Sequence, residues 1–294
     1  MTHPGITPPN YRLPDDIRLG HVSLQISDME RSLAYYENVL GLRLISRNSD
    51  VALLGTQGSG TPLVELQNIA GTQPVGRHAK LGLYHFAILL PNRATLGRFV
   101  QHLVAIGTDM GAADHLVSEA LYLRDPDGLG IEVYADRPRD RWRVEQQQLV
   151  MATDPLDMAG LVSAANGAPW KGMPDGTVMG HVHLHVGDLD HAAAFYHAGL
   201  GLDKMVWQYP GALFMSAGGY HHHLGVNTWA GRGALSAGEA DARLLEWRMI
   251  FSSAIDMSAA AASLQSAGQD VTDDGGDRVV RDPWGTQLRL RTDC

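Results

Sequence analysis

The chain of 294 residues has one cysteine, Cys294, and that is its last residue. An internal disulfide and a cysteine-rich metal site are both excluded, and a reducing cytoplasm is the expected location. No run approaches the roughly 18 apolar residues of a membrane-spanning helix. The stretch from Met1 to Tyr11 is Pro-rich, without the basic start and apolar centre of a signal peptide. Neither secretion nor membrane insertion is expected. Positive charge is scarce as well: Lys and Arg number 23 against 32 Asp and Glu, a net charge of −9, with no basic run. A polyanion such as nucleic acid is therefore not the expected partner, and a small molecule is. With 45% apolar and 19% charged residues the chain reads as globular, and its length suits two domains.

The chain is written twice. Gly20-His21-Val22-Ser23-Leu24 returns as Gly180-His181-Val182-His183-Leu184. The pairs His21/His181, Asp28/Asp188, Tyr36/Tyr196 and Gly41/Gly201 all share an offset of 160 residues. A match free of insertions over a strand and a helix marks duplicated supersecondary units.

Each copy itself reads as two units. In the first, His21 to Ser27 alternates as a strand, Asp28 caps a helix carrying Leu33, Tyr36 and Leu40, and Gly41 ends it. Three strands follow, Leu42 to Arg47, Val51 to Leu54 and Leu63 to Gln67, separated by turn residues. The grammar recurs from about Leu83, with strand His85 to Leu90, a helix from Arg93 to about Ile106, and strands around Leu121-Tyr122-Leu123 and Ile131-Glu132-Val133. A third unit runs from Gly180 to about Trp229. A fourth begins near Leu244, has a helix from Ser258 to Ala267, and closes on Leu288-Arg289-Leu290. Units two and four share an Asp-Pro-x-Gly turn, at Asp125 and Asp282, read here as a turn and no more. The predicted class is α+β, with four βαβββ modules pairing into two cup-shaped, barrel-like sheets. The expected boundaries are an N-terminal extension over 1–18, modules one and two over 19–136, a crossover over 137–178, and modules three and four over 179–294. The crossover is too long for an ordinary connection and too apolar for a flexible linker, so it is expected to pack irregularly across the surface.

Strands alternate faces, so one slot in the first strand and one in the last strand of every module point into the concave side. The first-strand slot holds His21, His85, His181 and Glu246; the last-strand slot holds Glu65, Glu132, His223 and Arg289. Glu132 stands among apolar strand residues, where an unpaired charge is costly, so it needs a cation or a proton. Two neutral imidazoles and one carboxylate on one side of a cup form the face that suits non-haem Fe(II), with positions left for a bidentate substrate and dioxygen. Module three adds a histidine excess, His181, His183 and His185 on one strand face and His221-His222-His223 before the closing strand.

The modules resemble the vicinal oxygen chelate superfamily. The strings Gly82 to Pro91, Ser118 to Leu123, Gly130 to Pro138, Gly180 to Val186 and Gly219 to Trp229 are similar to the Bacillus-type catechol 2,3-dioxygenases. The resemblance spans nearly all of residues 19 to 292. It implies extradiol cleavage of a small aromatic diol by dioxygen at Fe(II), with Mn(II) as the alternative metal. One departure stands out. Type I extradiol enzymes draw their ligands from modules three and four, whereas module four here offers Glu246 and Arg289, and a guanidinium is no ligand.

Two pairings are then open. Modules one and two would give His21, Glu65, His85 and Glu132, similar to the tetrad of glyoxalase I. Modules two and three would give His85, Glu132 and His181, with His223 nearby; this pairing is favoured because it yields the iron-type face. His183 or His223 is expected to shuttle a proton, and His185, His221, Asn227 and Tyr134 to contact substrate. The rival functions are a metal-dependent isomerase or lyase using the first tetrad, and a cup that sequesters a small molecule without turnover. The reading leaves room for a homo-oligomer.

Overall fold

The computed structural model describes residues 4–76 and 80–293; Cys294 lies outside the described residues. The first strands of modules two and three, Gly82–Leu89 and Val178–His185, run antiparallel at the centre of one eight-stranded sheet. Module two extends it through Gly130–Asp136, Ser118–Arg124 and Gly111–Asp114. Module three extends the other side through Leu224–Asn227, Ala212–Ser216 and Asp203–Val206. Modules one and four build the second sheet in the same order around Val22–Ile26 and Arg243–Phe251, with Arg18–Leu19 added to its centre. Each sheet thus joins modules from the two halves of the chain. The architecture is α+β, two curled sheets with few helices.

Local chemistry explains the helices on the outer faces. Asp28, Asn92, Asp188 and Ser253 each turn a side-chain oxygen onto the backbone N–H three residues on, capping a helix start. The helix of module four spans Ala254–Ser266, starting four residues before the sequence pattern placed it. That pattern, poor in large apolar side chains, did not mark Ser253 as the cap. In module three the helix Leu189–Ala192 continues in wider, π-type turns over Ala193–Gly199.

The Asp-Pro-x-Gly turns do more than reverse the chain. Asp125 accepts the backbone N–H groups of Asp127 and Leu129 at 2.9 and 2.8 Å, and its other oxygen takes the hydroxyl of Tyr36 at 3.1 Å. Asp282 repeats this with Trp284, Thr286 and Tyr196. Each buried Tyr–Asp bond ties a helix of one sheet's module to a turn of the other, behind both sheets. The main core, with Trp247, Tyr36, Tyr196 and Phe86 fully buried, runs through both halves.

The crossover is more ordered than expected. It carries a short hairpin, Val144–Glu145 with Gln148–Leu149, and a helix, Met158–Ala164, that packs on Arg93–Ala105. Leu161 and Met173 anchor it in the core.

Candidate metal centre

Register brings the site together. In the antiparallel pair at the sheet centre, His85 lies opposite His183 and Ala87 opposite His181, so His85 and His181 are diagonal neighbours on the concave face. The closing strand of module two runs parallel alongside, with Glu132 beside Ala87. The Nε2 atom of His85 is 3.0 Å from Glu132 Oε2, that of His181 is 3.2 Å from the same oxygen, and the two Nε2 atoms are 3.3 Å apart. Among the described residues this is the cluster whose donor atoms could hold a metal ion, and all three side chains are buried.

The triangle fits an ion. Ligand bonds of roughly 2.1 Å at right angles put neighbouring donors about 3.0 Å apart, and tetrahedral angles put them about 3.4 Å apart. Burial and the neighbouring His181 push the His85 imidazole below its usual range, with Glu132 opposing. Glu132 is held well below the carboxylate range: burial works against its charge, and His181 and His85 outweigh it. Burial biases both imidazoles toward the neutral form, and an ion bound there would take the place of the N–H protons that they turn onto the Glu132 carboxylate. His181 has no polar partner at Nδ1, so its polar neighbours all lie on the Nε2 side, where the three donors meet.

A cavity of about 310 Å³ opens beside the triangle. Tyr84, Tyr209, Phe214, Trp229 and Met151 give it apolar walls, and among the described residues neither Lys nor Arg lines it. Three further polar side chains face it, and of these His222 alone was marked by the sequence, as one of three consecutive histidines. Tyr122 sits opposite Glu132 on the neighbouring strand, and its hydroxyl is 2.5 Å from His115 Nε2. His115 gives its Nδ1 proton to the carbonyl of Ala152 at 2.6 Å, so its Nε2 accepts from Tyr122. His222 is the third, its ring 4.1 Å from that of His181. Tyr122 was legible in principle: counting back from the turn at Asp125 places it across from Glu132.

The other expected site residues are distributed differently. His183 lines the cavity, but its Nε2 takes a 2.9 Å bond from the Asn227 amide, whose oxygen in turn accepts from His185 Nδ1 at 2.6 Å. Its ring packs over Gly225, where any Cβ would stand within 3.0 Å. Asn227 and His185 thus fix His183 and do not line this cavity. Tyr134 is buried behind His181, bonded to the Tyr220 hydroxyl at 2.6 Å. His221 is buried as well, bridging His222 and Asp136. His223 points the other way, to Ser216 at 2.9 Å, and lines a separate cavity. Its expected place at the metal face is corrected to His222, because the chain turns between Gly219 and His223 and enters the strand only at Leu224.

The tetrad of modules one and two is not assembled, since His21 and Glu65 belong to the other sheet. There His21 Nε2 is 3.2 Å from Glu65, in the arrangement of His85 and Glu132. Arg248 fills the middle instead: it lies 2.7 Å from Glu246, 3.6 Å from Glu65 and 3.4 Å from His21 Nδ1. Arg289 binds both oxygens of Glu246 at 2.9 Å.

Paired βαβββ sheets with a two-histidine, one-carboxylate cluster define a class of small-molecule proteins built on a cupped sheet. Residues 18–133 match the model of the glyoxalase/bleomycin resistance protein/dioxygenase superfamily. The chain is 40% identical over 272 residues to a catechol-2,3-dioxygenase of Bacillus subtilis (strain 168), covering 92% of this chain and 95% of that one. It is also 29% identical over 124 residues to biphenyl-2,3-diol 1,2-dioxygenase 3 of Rhodococcus globerulus, covering 40% and 63% respectively. Among solved structures, glyoxalase I from Zea mays shares the fold with a TM-score of 0.54 at 17% identity, covering 94% of this chain and 92% of that one. The chain belongs to the glyoxalase/bleomycin resistance protein/dioxygenase superfamily.

Proposed function

We propose that this protein is an extradiol ring-cleaving dioxygenase, opening an uncharged, single-ring catechol with dioxygen at an Fe(II) held by His85, His181 and Glu132. The observation that carries the reading is the convergence of those three donors within 3.0 to 3.3 Å of one another at the wall of a 310 Å³ cavity. The catechol-2,3-dioxygenase of Bacillus subtilis, similar over 92% of the chain, supports the reaction class. Fe(II) is favoured over Mn(II) by the donor set alone. When bound, the metal supplies Lewis acidity that eases ionisation of the diol and an electron source for dioxygen.

The chain's own groups handle protons and position. Asp136 accepts the Nε2 proton of His221 at 2.9 Å, so His221 Nδ1 accepts from His222 Nδ1 at 2.7 Å. His222 Nε2 is thereby left as a lone pair toward the cavity, and burial among histidines holds its ring well below the usual range, hence neutral. It takes the proton of a substrate hydroxyl and returns it to the opened ring. Tyr122 is held well above the usual phenol range by burial and by Glu132, so it stays protonated; its one proton goes to His115 Nε2, and its oxygen accepts a hydrogen bond from a substrate hydroxyl. His183, locked by Asn227, serves as a wall. The aromatic lining excludes water and accepts a flat ring, and the absence of Lys and Arg from that lining among the described residues leaves a carboxylated catechol without a counter-charge.

The test is anaerobic reconstitution with Fe(II), followed by oxygen uptake and visible absorbance with catechol and alkylcatechols. One dioxygen consumed per diol, with a ring-opened chromophore, is expected. Iron-loaded protein that consumes no oxygen would turn the reading toward an isomerase, a lyase or a sequestering cup.

A further inference from the structure

A cavity larger than that at the metal cup lies between the two cups and has an electrostatic character opposite to it. It holds about 740 Å³, within the range of small-molecule sites. Four arginines line it, Arg18, Arg139, Arg248 and Arg291, against two acids, Asp15 and Asp293, although the whole chain carries a net charge of −9. Arg18 is paired with Asp293, and Arg248 is held by Glu246 and Glu65. Arg139 and Arg291 are left with most of their charge. Among the described residues Arg139 bonds to a carbonyl, Gly218 at 3.2 Å, and not to a carboxylate. It stacks over Trp142 and Tyr220 at 5.4 and 5.5 Å, which holds its fork in one orientation. The carboxylate near Arg291, Asp277, is 3.9 Å away and already bonds Arg289 at 3.2 Å. Apolar side chains, among them Leu63, Leu89 and Met179, share the rest of the wall with threonines and with His21 and His223.

We propose that this cavity is a second ligand site, binding an amphiphilic carboxylate whose anionic end meets Arg139 and Arg291 and whose apolar body lies against the leucine and methionine wall. The duplicated fold would then carry two sites of opposite preference. In the cup of modules two and three, His85, His181 and Glu132 draw a cation. In the cup of modules one and four, Arg248 already stands among His21, Glu65 and Glu246, so no cation is drawn and the space beyond it attracts an anion. An arginine fork matches a carboxylate in two bonds, and a hydrophobic body adds affinity in proportion to the area it buries.

The experiment is calorimetric titration of the iron-loaded protein with benzoate and with its neutral analogue benzyl alcohol, repeated in the presence of saturating catechol. One saturable benzoate site per chain, indifferent to catechol and absent with benzyl alcohol, is expected. Arg139→Gln and Arg291→Gln should each weaken it by about tenfold, the scale of one lost charge-assisted bond. Oxygen uptake by both variants should stay at the parental rate, which establishes that they fold. Absence of saturable binding, displacement of benzoate by catechol, or affinity unchanged in both variants would overturn the proposal.

Discussion

Arg248 donates a 2.7 Å hydrogen bond to Glu246 from the position in its sheet that His183 holds in the other, beside Arg289 as His183 is beside Gly225. The two cups share one backbone plan, and what separates them is which side chains stand at matching places. His21, Glu65 and Glu246 match His85, Glu132 and His181, and Arg248 adds a built-in cation to the first set. Replacing it by an apolar side chain leaves two mostly buried carboxylates without the cation between them, Glu246 still held by Arg289 and Glu65 by His21. Arg248→Met should cost about 3 kcal/mol, the scale of a broken buried pair. Manganese(II) should restore part of that loss in the variant and not in the parent. Urea unfolding with and without the ion checks it, and an equal response of both proteins would count against Arg248 as the ion's substitute.

Metal content separates the two cups directly. His85→Ala, His181→Ala and Glu132→Gln should each lose iron and, with it, oxygen uptake, since three ligands are the minimum that the face offers. His21→Ala and Glu65→Gln should keep one iron per chain. Elemental analysis after gel filtration decides, and a His21 variant without iron would revive the tetrad of modules one and two.

For Tyr122 the expectation is a defect in turnover with metal retained. Tyr122→Phe removes the hydroxyl that joins His115 to the substrate and leaves the ring, so kcat should fall by about 10²-fold while iron stays bound. His222→Gln should behave alike. His223→Gln, which acts on the other cavity, should leave kcat within about twofold. Equal losses at His222 and His223 would contradict the orientation assigned to them.

The contrast between His222 and His223 marks where sequence stops being legible. The repeat, the modules, His85, Glu132 and His181 follow from periodicity and offset, because long strands alternate strictly and a fixed offset aligns their faces. His222 does not, since three histidines in a loop have no period to say which faces inward. His115 sits in the tight turn between two strands, beside Leu116 at a positive φ of 68°, where no pattern predicts direction. Tyr122 was within reach, because the Asp125 turn fixes its partner. The pairing of modules two with three and one with four was open because strand patterns state which face is buried and not which neighbour buries it. Arg248 escaped notice for a related reason: it lies two residues from Glu246 on one strand face, and only its 3.4 Å contact with His21 across the sheet reveals what it replaces.

Glu65 gives the second cup a pH signature. The hydrogen bond from His21, then those of Gln67 and the charge of Arg248, bring its carboxyl down to about 2 from an ordinary 4.5, against the cost of burial. Above pH 4.5 the group is ionised in both folded and unfolded chains, so its full contribution is present. As pH falls from about 4.5 to 2 the unfolded chain takes up the proton first, and stability is lost through that window. The contribution is about 3 kcal/mol by linkage. Glu65→Gln should therefore be less stable than the parent at pH 6, and the gap should close as pH falls from about 4.5 toward 2. Urea midpoints measured across that range test this, and a gap that persists undiminished at pH 2.5 would show that Glu65 stabilises the cup by packing and not by its charge.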